Sequence, residues 1–523
     1  MLGLLLVAAS LVSGQNTFNR RVHLGSPAAI ATGVIATDTC YYVTGIVADT
    51  LFPYKSGNFF MKLGLDGEVI FDKWLVDSVR TYETWLPSFQ VTLDTDFINC
   101  GYSFGGNDKN MMIVYDNDGA IKKLFKYSHH FEDGLFTLPR SITGNNSSGY
   151  LIVSEQKSNE GLNNSEIVLT KINSGGEVEY ETYYGSSINE RPNEIHALSS
   201  NYFIISGRRN NTNTNDFDYR SYDYLLAIDS LGNVLWDYES WPSFELRQGA
   251  NSLVATDDGG LVVASGRGEE FYINSSSGGL RWKSGLIYKL NAAREVEWEV
   301  EFKDMRPDIL YNRLNKLIAI RDGSGYVATG HFLEEYPGGQ TFDIHGWIVK
   351  VSPDGDSLWS RRLRYFEDVG VWQKIHLLND IKETSDGGFI MVGEANNQNA
   401  MLQRQQAWLI KVDEHGCLVP GCHLVGVEEE PGVAQPEVQV MLSPNPAREY
   451  VNVFIKDERI AQRRGAQVRV FDSQGRERLR RPAGRLDEVT NMIPVWDWPG
   501  GWYVLVYEDA GGVLWEGRFV VGE

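Results

Sequence analysis

The chain has 523 residues, 42% of them hydrophobic and 22% charged, with a formal charge of −21. This composition excludes a disordered or fibrous polypeptide, the length is too great for one compact core, and the acidic balance disfavours nucleic acid as a partner. Beyond the N-terminal run, no stretch is apolar enough for a membrane helix.

Residues 1–14 (MLGLLLVAASLVSG) form an apolar run ending in small residues. It is too short to span a bilayer and reads as a secretory signal peptide cleaved before Gln15. Residues 17–25 (TFNRRVHLG) follow as a strand-like segment, similar to 358–366 (LWSRRLRYF) much later in the chain.

Downstream of residues 17–25 a unit repeats seven times. A hairpin turn marks each copy, ending at Gly67, Gly119, Gly176, Gly232, Arg294, Gly355 and Gly416, at a spacing of about 52 to 62 residues. Five positions before the turn end stands Lys62, Lys171, Lys289, Lys350 or Lys411 in five copies. Four positions after it comes Phe71, Tyr180, Trp236, Trp298 or Trp359. Each copy reads as four strands. One precedes a DGG-like turn, the next carries a small residue (Gly45, Gly101, Ser154, Gly207, Gly266, Gly330 or Gly393), an apolar strand reaches the hairpin turn, and a partly charged strand follows. Glycine at one fixed point implies a close backbone approach.

Seven antiparallel four-stranded units predict an all-β chain whose residues 15–423 form a seven-bladed β-propeller, because a ring removes the exposed sheet edges that an open array would leave. Copy seven lacks its outermost strand, since Gly416 runs directly into CLVPGC. Residues 17–25 are expected to supply it and close the ring, with the in-register aromatics packing between blades.

Candidate site residues follow from the same alignment. Asn193, Asn251, Asn315 and Asn379 recur near the start of the first strand, with Ser88 and Arg140 near the equivalent places of earlier copies. Four amides in a partial ring at one channel mouth suit a polar ligand; alternatively they bond neighbouring backbone and fix the junctions. Long loops at 210–223, 269–284 and 333–345 join the same two strands and mix aromatic, amide and arginine residues, a composition fit for glycan or protein contact. His129, His130 and Asp133 share a loop and have metal-ligand chemistry, though adjacent loop histidines are commonly just polar. Asp116–Gly119 and Asp354–Asp356 offer oxygens to calcium, but both coincide with the hairpin turn, which favours Asx-Gly for backbone reasons. No HExxH, GxSxG, P-loop or CxxC motif is present, so no catalytic residue, metal or cofactor is assigned.

Export would allow disulfides. Cys417 and Cys422 enclose four residues and are expected to pair as a local clip; Cys40 and Cys100 either bridge neighbouring repeats or remain buried thiols. Residues 424–440 read as a linker by their Pro, Gly and Glu content, and 441–523 as a small Ig-like β-sandwich with balanced charge.

Within that last segment, Pro444-Asn445-Pro446-Ala447, the turn at Gly475 after VRVFD, Gly501-Trp502-Tyr503 opening a strand, and the closing Arg518-Phe519-Val520-Val521 occur in order. Together they resemble the type A C-terminal sorting domain of type IX secretion cargo. The chain ends in Gly522-Glu523 where such domains often close with lysine. The resemblance implies passage through the periplasm, recognition of Pro444, Asn445, Pro446, Gly501 and Tyr503 by an outer-membrane translocon, and a secreted or surface-anchored product. A non-catalytic binding or adhesion propeller for glycan or protein is the favoured function. The alternative is an extracellular polysaccharide hydrolase or lyase acting at the axial mouth, and a third class is a purely structural surface component.

Overall fold

The computed structural model describes residues 16–522 apart from 50–54, 78–80, 85–87, 93–94, 105–108, 128–134, 146–148, 159–164, 186–188, 212–219, 241–245, 248, 275–276, 304–311, 336–341, 367–373, 399–403, 420–421, 423–439, 444–446, 456–466, 473–474, 483–491 and 510–511. The signal segment, Pro444 to Pro446, the loop with His129, His130 and Asp133, and nearly all of the linker therefore lie outside the described residues. The regular structure is all β, with no α-helix among the described residues. The chain divides into two compact units, Met1–Gly426 and Val427–Glu523.

Antiparallel pairing sorts the described strands of the first unit into seven successive groups. Four are separate sheets, and three more are fused into a twelve-stranded sheet by single parallel pairs, Ile344 with Ile375 and Ala28 with Gln405. Group one comprises Ala28–Ala36, Tyr41–Ala48, Ser56–Leu63 and Val69–Leu75. Group two has Thr81–Thr84 and Gln90–Val91 as its first strand, then Phe97–Phe104, Lys109–Tyr115 and Ile121–Tyr127. Group three runs Leu135–Asn145, Gly149–Ser158, Ser165–Ile172 and Val178–Tyr184; group four runs Asn189–Ser199, Tyr202–Asn211, Arg220–Ile228 and Val234–Glu239. Group five has Leu246–Arg247 and Ser252–Ala255 first, then Leu261–Asn274, Ser277–Leu290 and Val296–Lys303. Group six is Arg313–Ala319, Tyr326–Glu335, Phe342–Val351 and Ser357–Leu363. Group seven draws three strands, Lys374–Glu383, Phe389–Asn397 and Gln405–Val412, from its own stretch of chain.

Its fourth strand comes from the other end of the chain. Phe18–Val22 pairs antiparallel with Gln405–Val412, from Phe18 opposite Lys411 to Val22 opposite Ala407. Asn19 fixes this register, taking the Trp408 indole N–H on Oδ1 at 2.6 Å and donating from Nδ2 to Arg364 O at 2.7 Å. Each group packs on its successor, and the first strand of group one packs on the first three strands of group seven.

The repeated aromatics explain how neighbours lock. Each hairpin turn closes through an i→i+3 backbone bond whose last residue has positive φ, so glycine there leaves a flat surface. An aromatic from the preceding group fills it. A Cβ on Gly119 would meet Phe60 and Phe71, one on Gly176 would meet Phe125, one on Gly355 would meet Trp298, and one on Gly416 would meet Trp359, all within 2.9 Å. At Gly232 the partners are Tyr180 and Tyr184, whose hydroxyls donate to Ser230 O and Gly232 O at 2.8 and 2.7 Å. The series ends on itself, because the ring facing Gly67 is Phe18. Group two supplies Phe125 two positions later than the aligned place, so its aromatic escaped the sequence register.

Arg294 is the exception that shows the rule. It occupies the glycine position at φ 69° and lays its guanidinium 4.0 Å from the Trp236 ring centroid, with bonds to Gly259 O and Tyr202 Oη. Left-handed strain of about 1 kcal/mol is offset by a cation–π contact of similar size. Arg294→Gly is therefore expected to lie within about 1 kcal/mol of the parent, whereas Arg294→Ala keeps the strain, loses the contact and falls by about 1–2 kcal/mol in urea denaturation.

Cys417 and Cys422 form a disulfide with Cα atoms 5.6 Å apart. Cys40 and Cys100 are free and buried in separate apolar clusters, so the alternative of a bridge between them does not hold. Burial pushes the Cys100 thiol up to about 12.

The second unit contains two antiparallel sheets. Val440–Ser443, Tyr450–Ile455 and Met492–Pro494 form one; Glu477–Pro482, Gln467–Asp472, Gly501–Asp509 and Gly512–Val521 form the other. Alternating residues of both meet in one core that includes Val451, Ile493, Val470, Leu505 and Phe519. Ala447, directly after the Pro-Asn-Pro segment, clasps the last strand, donating to Val520 O at 2.6 Å and accepting from Gly522 N at 2.8 Å.

Candidate functional site

A β-bulge builds the site. In five groups the first strand skips one residue against the second: Thr32, Arg140, Asn193, Asn315 and Asn379 are the extra residues. The bulge drives a carbonyl of the first strand toward the second. A Cβ on Gly45, Gly207, Gly330 or Gly393 would sit 1.8–2.3 Å from Ile30 O, Arg191 O, Arg313 O or Leu377 O. Group three carries Ser154 at the corresponding point, opposite Pro139.

The three bulged asparagines, and Asn251 just before the Ser252–Ala255 strand of group five, project toward the next group. Asn193 Nδ2 donates to Ala250 O at 3.0 Å, Asn251 Nδ2 to Leu314 O at 2.8 Å, Asn315 Nδ2 to Leu378 O at 2.8 Å, and Asn379 Nδ2 to Ala31 O at 2.9 Å. Each amide thus ties one group to the first strand of its successor, and the last ties group seven to group one. Of the two roles that their spacing suggests, these bonds are the junction role. Any ligand contact by the same residues would use what remains, chiefly the Oδ1 atoms.

The antiparallel register also places the loops. Asn189 pairs with Asn210 and Arg313 with His331, so the start of each first strand lies at the end from which the second-to-third connections extend. The described ends of the long segments at 210–223, 269–284 and 333–345 therefore share one end of the unit with the bulges, while 212–219, 275–276 and 336–341 lie outside the described residues.

Beside the bulges at that end lies an arginine cluster that the repeat alignment did not single out beyond Arg140. Glu155 accepts from Arg140 Nη2 and, at 2.9 Å, from Arg191 Nε. Arg208 stands opposite Arg191 in the strand pairing. Arg313 Nη2 donates to Asn251 Oδ1 at 3.2 Å, the oxygen that also faces Asn193 Nδ2 at 3.4 Å. Burial, then repulsion from Arg191, lowers both Arg208 and Arg313 to about 10; Glu155 is the carboxylate that opposes this at Arg208. The Nε atoms of Arg208 and Arg313 are buried without a hydrogen-bond partner. His331, opposite Arg313, is pushed down to about 3 by burial and by that guanidinium, so it is neutral at ordinary pH.

The neighbouring carboxylates are neutralised. Burial alone would raise Glu194, but His196, at 3.1 Å, and Lys316 hold it well below the usual carboxylate range. Asp380 accepts from Val34 N at 3.0 Å across the junction of groups seven and one and pairs with Lys382 at 3.0 Å. Glu394 is raised by burial and takes the Gln405 amide.

The other candidates are scattered. Asp116 Oδ1 accepts from the backbone of Asp118 and Ala120, and Ser352 Oγ from that of Asp356, so these turn oxygens serve the hairpin. Gly501 and Tyr503 lie on Gly501–Asp509 in the second unit; Tyr503 is buried and donates to Pro499 O at 2.8 Å.

No family model matches the chain, and no curated protein matches it. Among solved structures, it is similar to a polysaccharide lyase of a new family, PL25 ulvan lyase (TM-score 0.46, 10% identity, 76% of this chain and 97% of that one). It is also similar to the subtype N11 neuraminidase-like protein of a flat-faced bat H18N11 isolate (TM-score 0.37, 10% identity, 77% and 95%). A third is the α-L-arabinanase of Penicillium chrysogenum complexed with arabinobiose (TM-score 0.32, 11% identity, 63% and 93%). Likeness of this degree transfers no activity, and the propeller-like order of the first unit rests on its own strand pairing.

Proposed function

We propose that the first unit is a seven-bladed β-propeller that binds a glycan without turning it over, and that the second is an Ig-like sorting domain that exports it by a type IX-like route. Cyclic packing supports the propeller: the aromatic-on-turn contacts run from group to group and return to group one, and the asparagine ties run from group four through groups five, six and seven to group one. The observation that carries binding over catalysis is the ionic pairing at the bulge end. Glu155 and Glu194 are both locked to cations, so neither is available as a proton donor, while arginine is in excess. The succession of Pro444-Asn445-Pro446, Gly501 and Tyr503 along the sequence supports the sorting reading, with the secretion machinery as partner.

Two experiments test these readings. On a glycan array the mature chain is expected to retain oligosaccharides whose length is unchanged after prolonged incubation; release of shortened or unsaturated products would instead establish the hydrolase or lyase. In a bacterium with a type IX system, removal of residues 441–523 is expected to leave the protein in the periplasm, and undiminished appearance outside the cell would refute the sorting role.

A further inference from the structure

We propose that the arginine cluster at the bulge end binds the oxyanion of an acidic saccharide, a uronate carboxylate or a sulfate ester. This rests on the glycan-binding reading and names the chemical class of the ligand.

Four arginines from three groups meet there: Arg140 of group three and Arg191 of group four both reach Glu155, Arg208 stands opposite Arg191, and Arg313 of group six is close enough for mutual repulsion with Arg191 and Arg208. One carboxylate, Glu155, bridges the first two. The formal balance of this set is four positive charges to one negative. A structural ion-pair network would not have this form, because gathering partly buried like charges costs stability unless anions accompany them. The chain has acid to offer, with 69 Asp and Glu against 48 Lys and Arg. Arg267, by contrast, is paired with both Glu299 and Glu301 at 2.7 and 3.0 Å. Among the described residues Arg208 makes no ion pair, and the polar contact of Arg313 is with the Asn251 amide oxygen.

An oxyanion would supply the missing charge. A planar carboxylate or a sulfate accepts paired N–H groups from guanidinium forks, each such bond being charge-assisted. The site is reachable, since 30% of the Arg191 side chain is exposed and the neighbouring second-to-third connections extend from the same end.

Titration calorimetry on the mature full chain tests this, using oligogalacturonate, a sulfated galactan oligosaccharide and a neutral galactan oligosaccharide as separate arms. Binding of one or both acidic arms is expected, weakening with added salt. Arg208→Gln and Arg313→Gln should each weaken it about tenfold or more while leaving Tm unchanged or raised, since each removes a repelling charge. Whichever acidic arm binds identifies the oxyanion. If the neutral oligosaccharide binds equally well and both variants leave binding intact, the oxyanion assignment falls and the glycan-binding reading survives. If none of the three binds, both fall. A Tm drop of several degrees in both variants would show the arginines to be structural and would also overturn the assignment.

Discussion

Removing residues 16–25 from the chain is expected to lower the stability of the first unit by several kcal/mol, on the order of 3–5. Those residues contain the fourth strand of group seven, with the buried Phe18 ring against Gly67 and the Asn19 bonds to Trp408 and Arg364. Part of the lost contact energy is offset by the chain entropy released, which is why the net figure is smaller than the contacts suggest. The deletion also bares the edge of Gln405–Val412, an apolar strand, so the variant should aggregate on heating. Differential scanning calorimetry reads both effects. A synthetic peptide of residues 16–25 added in trans should restore the transition. An unchanged Tm in the deletion would mean that this strand closes nothing.

The second large effect is expected at the bulges. Gly393→Val places a side chain where even a Cβ would lie 1.8 Å from Leu377 O, a backbone atom that cannot rotate away. Either the bulge is flattened, which withdraws the Asn379 tie to Ala31 O, or the two strands part. The cost should exceed about 4 kcal/mol and leave little soluble protein. Gly144→Ala is the control, because its Cβ would meet nothing within 4 Å and its φ is ordinary; it should change stability by no more than about 0.5 kcal/mol. Equal soluble yield and equal denaturation midpoints for the two variants would contradict the bulge account.

Much of the first unit was legible because repetition samples one local rule many times. Glycine at the turn end, lysine five before and an aromatic four after could be aligned without knowing what each touched. Geometry then gives them partners: Lys411 Nζ reaches Asp386 Oδ2 of the preceding DGG turn at 2.7 Å, and Trp359 covers Gly416. The fixed small residue of the second strand was readable as a close approach, but its cause, a bulge in the first strand, was not. A bulge is a mismatch between two strands, and neither strand states it alone. The four asparagines were found by their spacing for the same reason, while their acceptors lie 57 or more residues away.

The arginine cluster was illegible for the opposite reason. Arg140, Arg191, Arg208 and Arg313 do not share one repeat position. Arg191 and Arg313 share a place two residues before the bulges of groups four and six, but Arg140 is itself the bulged residue of group three and Arg208 lies in a second strand. Only the packing of groups three, four and six brings them together. A faint signal existed in arginine placed at the first-strand start of an acidic chain. Cys40 and Cys100 show the same limit: both are cysteines of neighbouring repeats, yet they fall in different apolar clusters.

A crystal structure of the chain tests the central claim most directly. Cyclic packing predicts seven four-stranded sheets about a single axis, with Phe18–Val22 as the fourth strand of the sheet formed by residues 374–412, and Asn379 bonded to Ala31 O across the closing junction. Fewer sheets, sheets stacked in a line, or residues 18–22 placed away from Gln405–Val412 would contradict it.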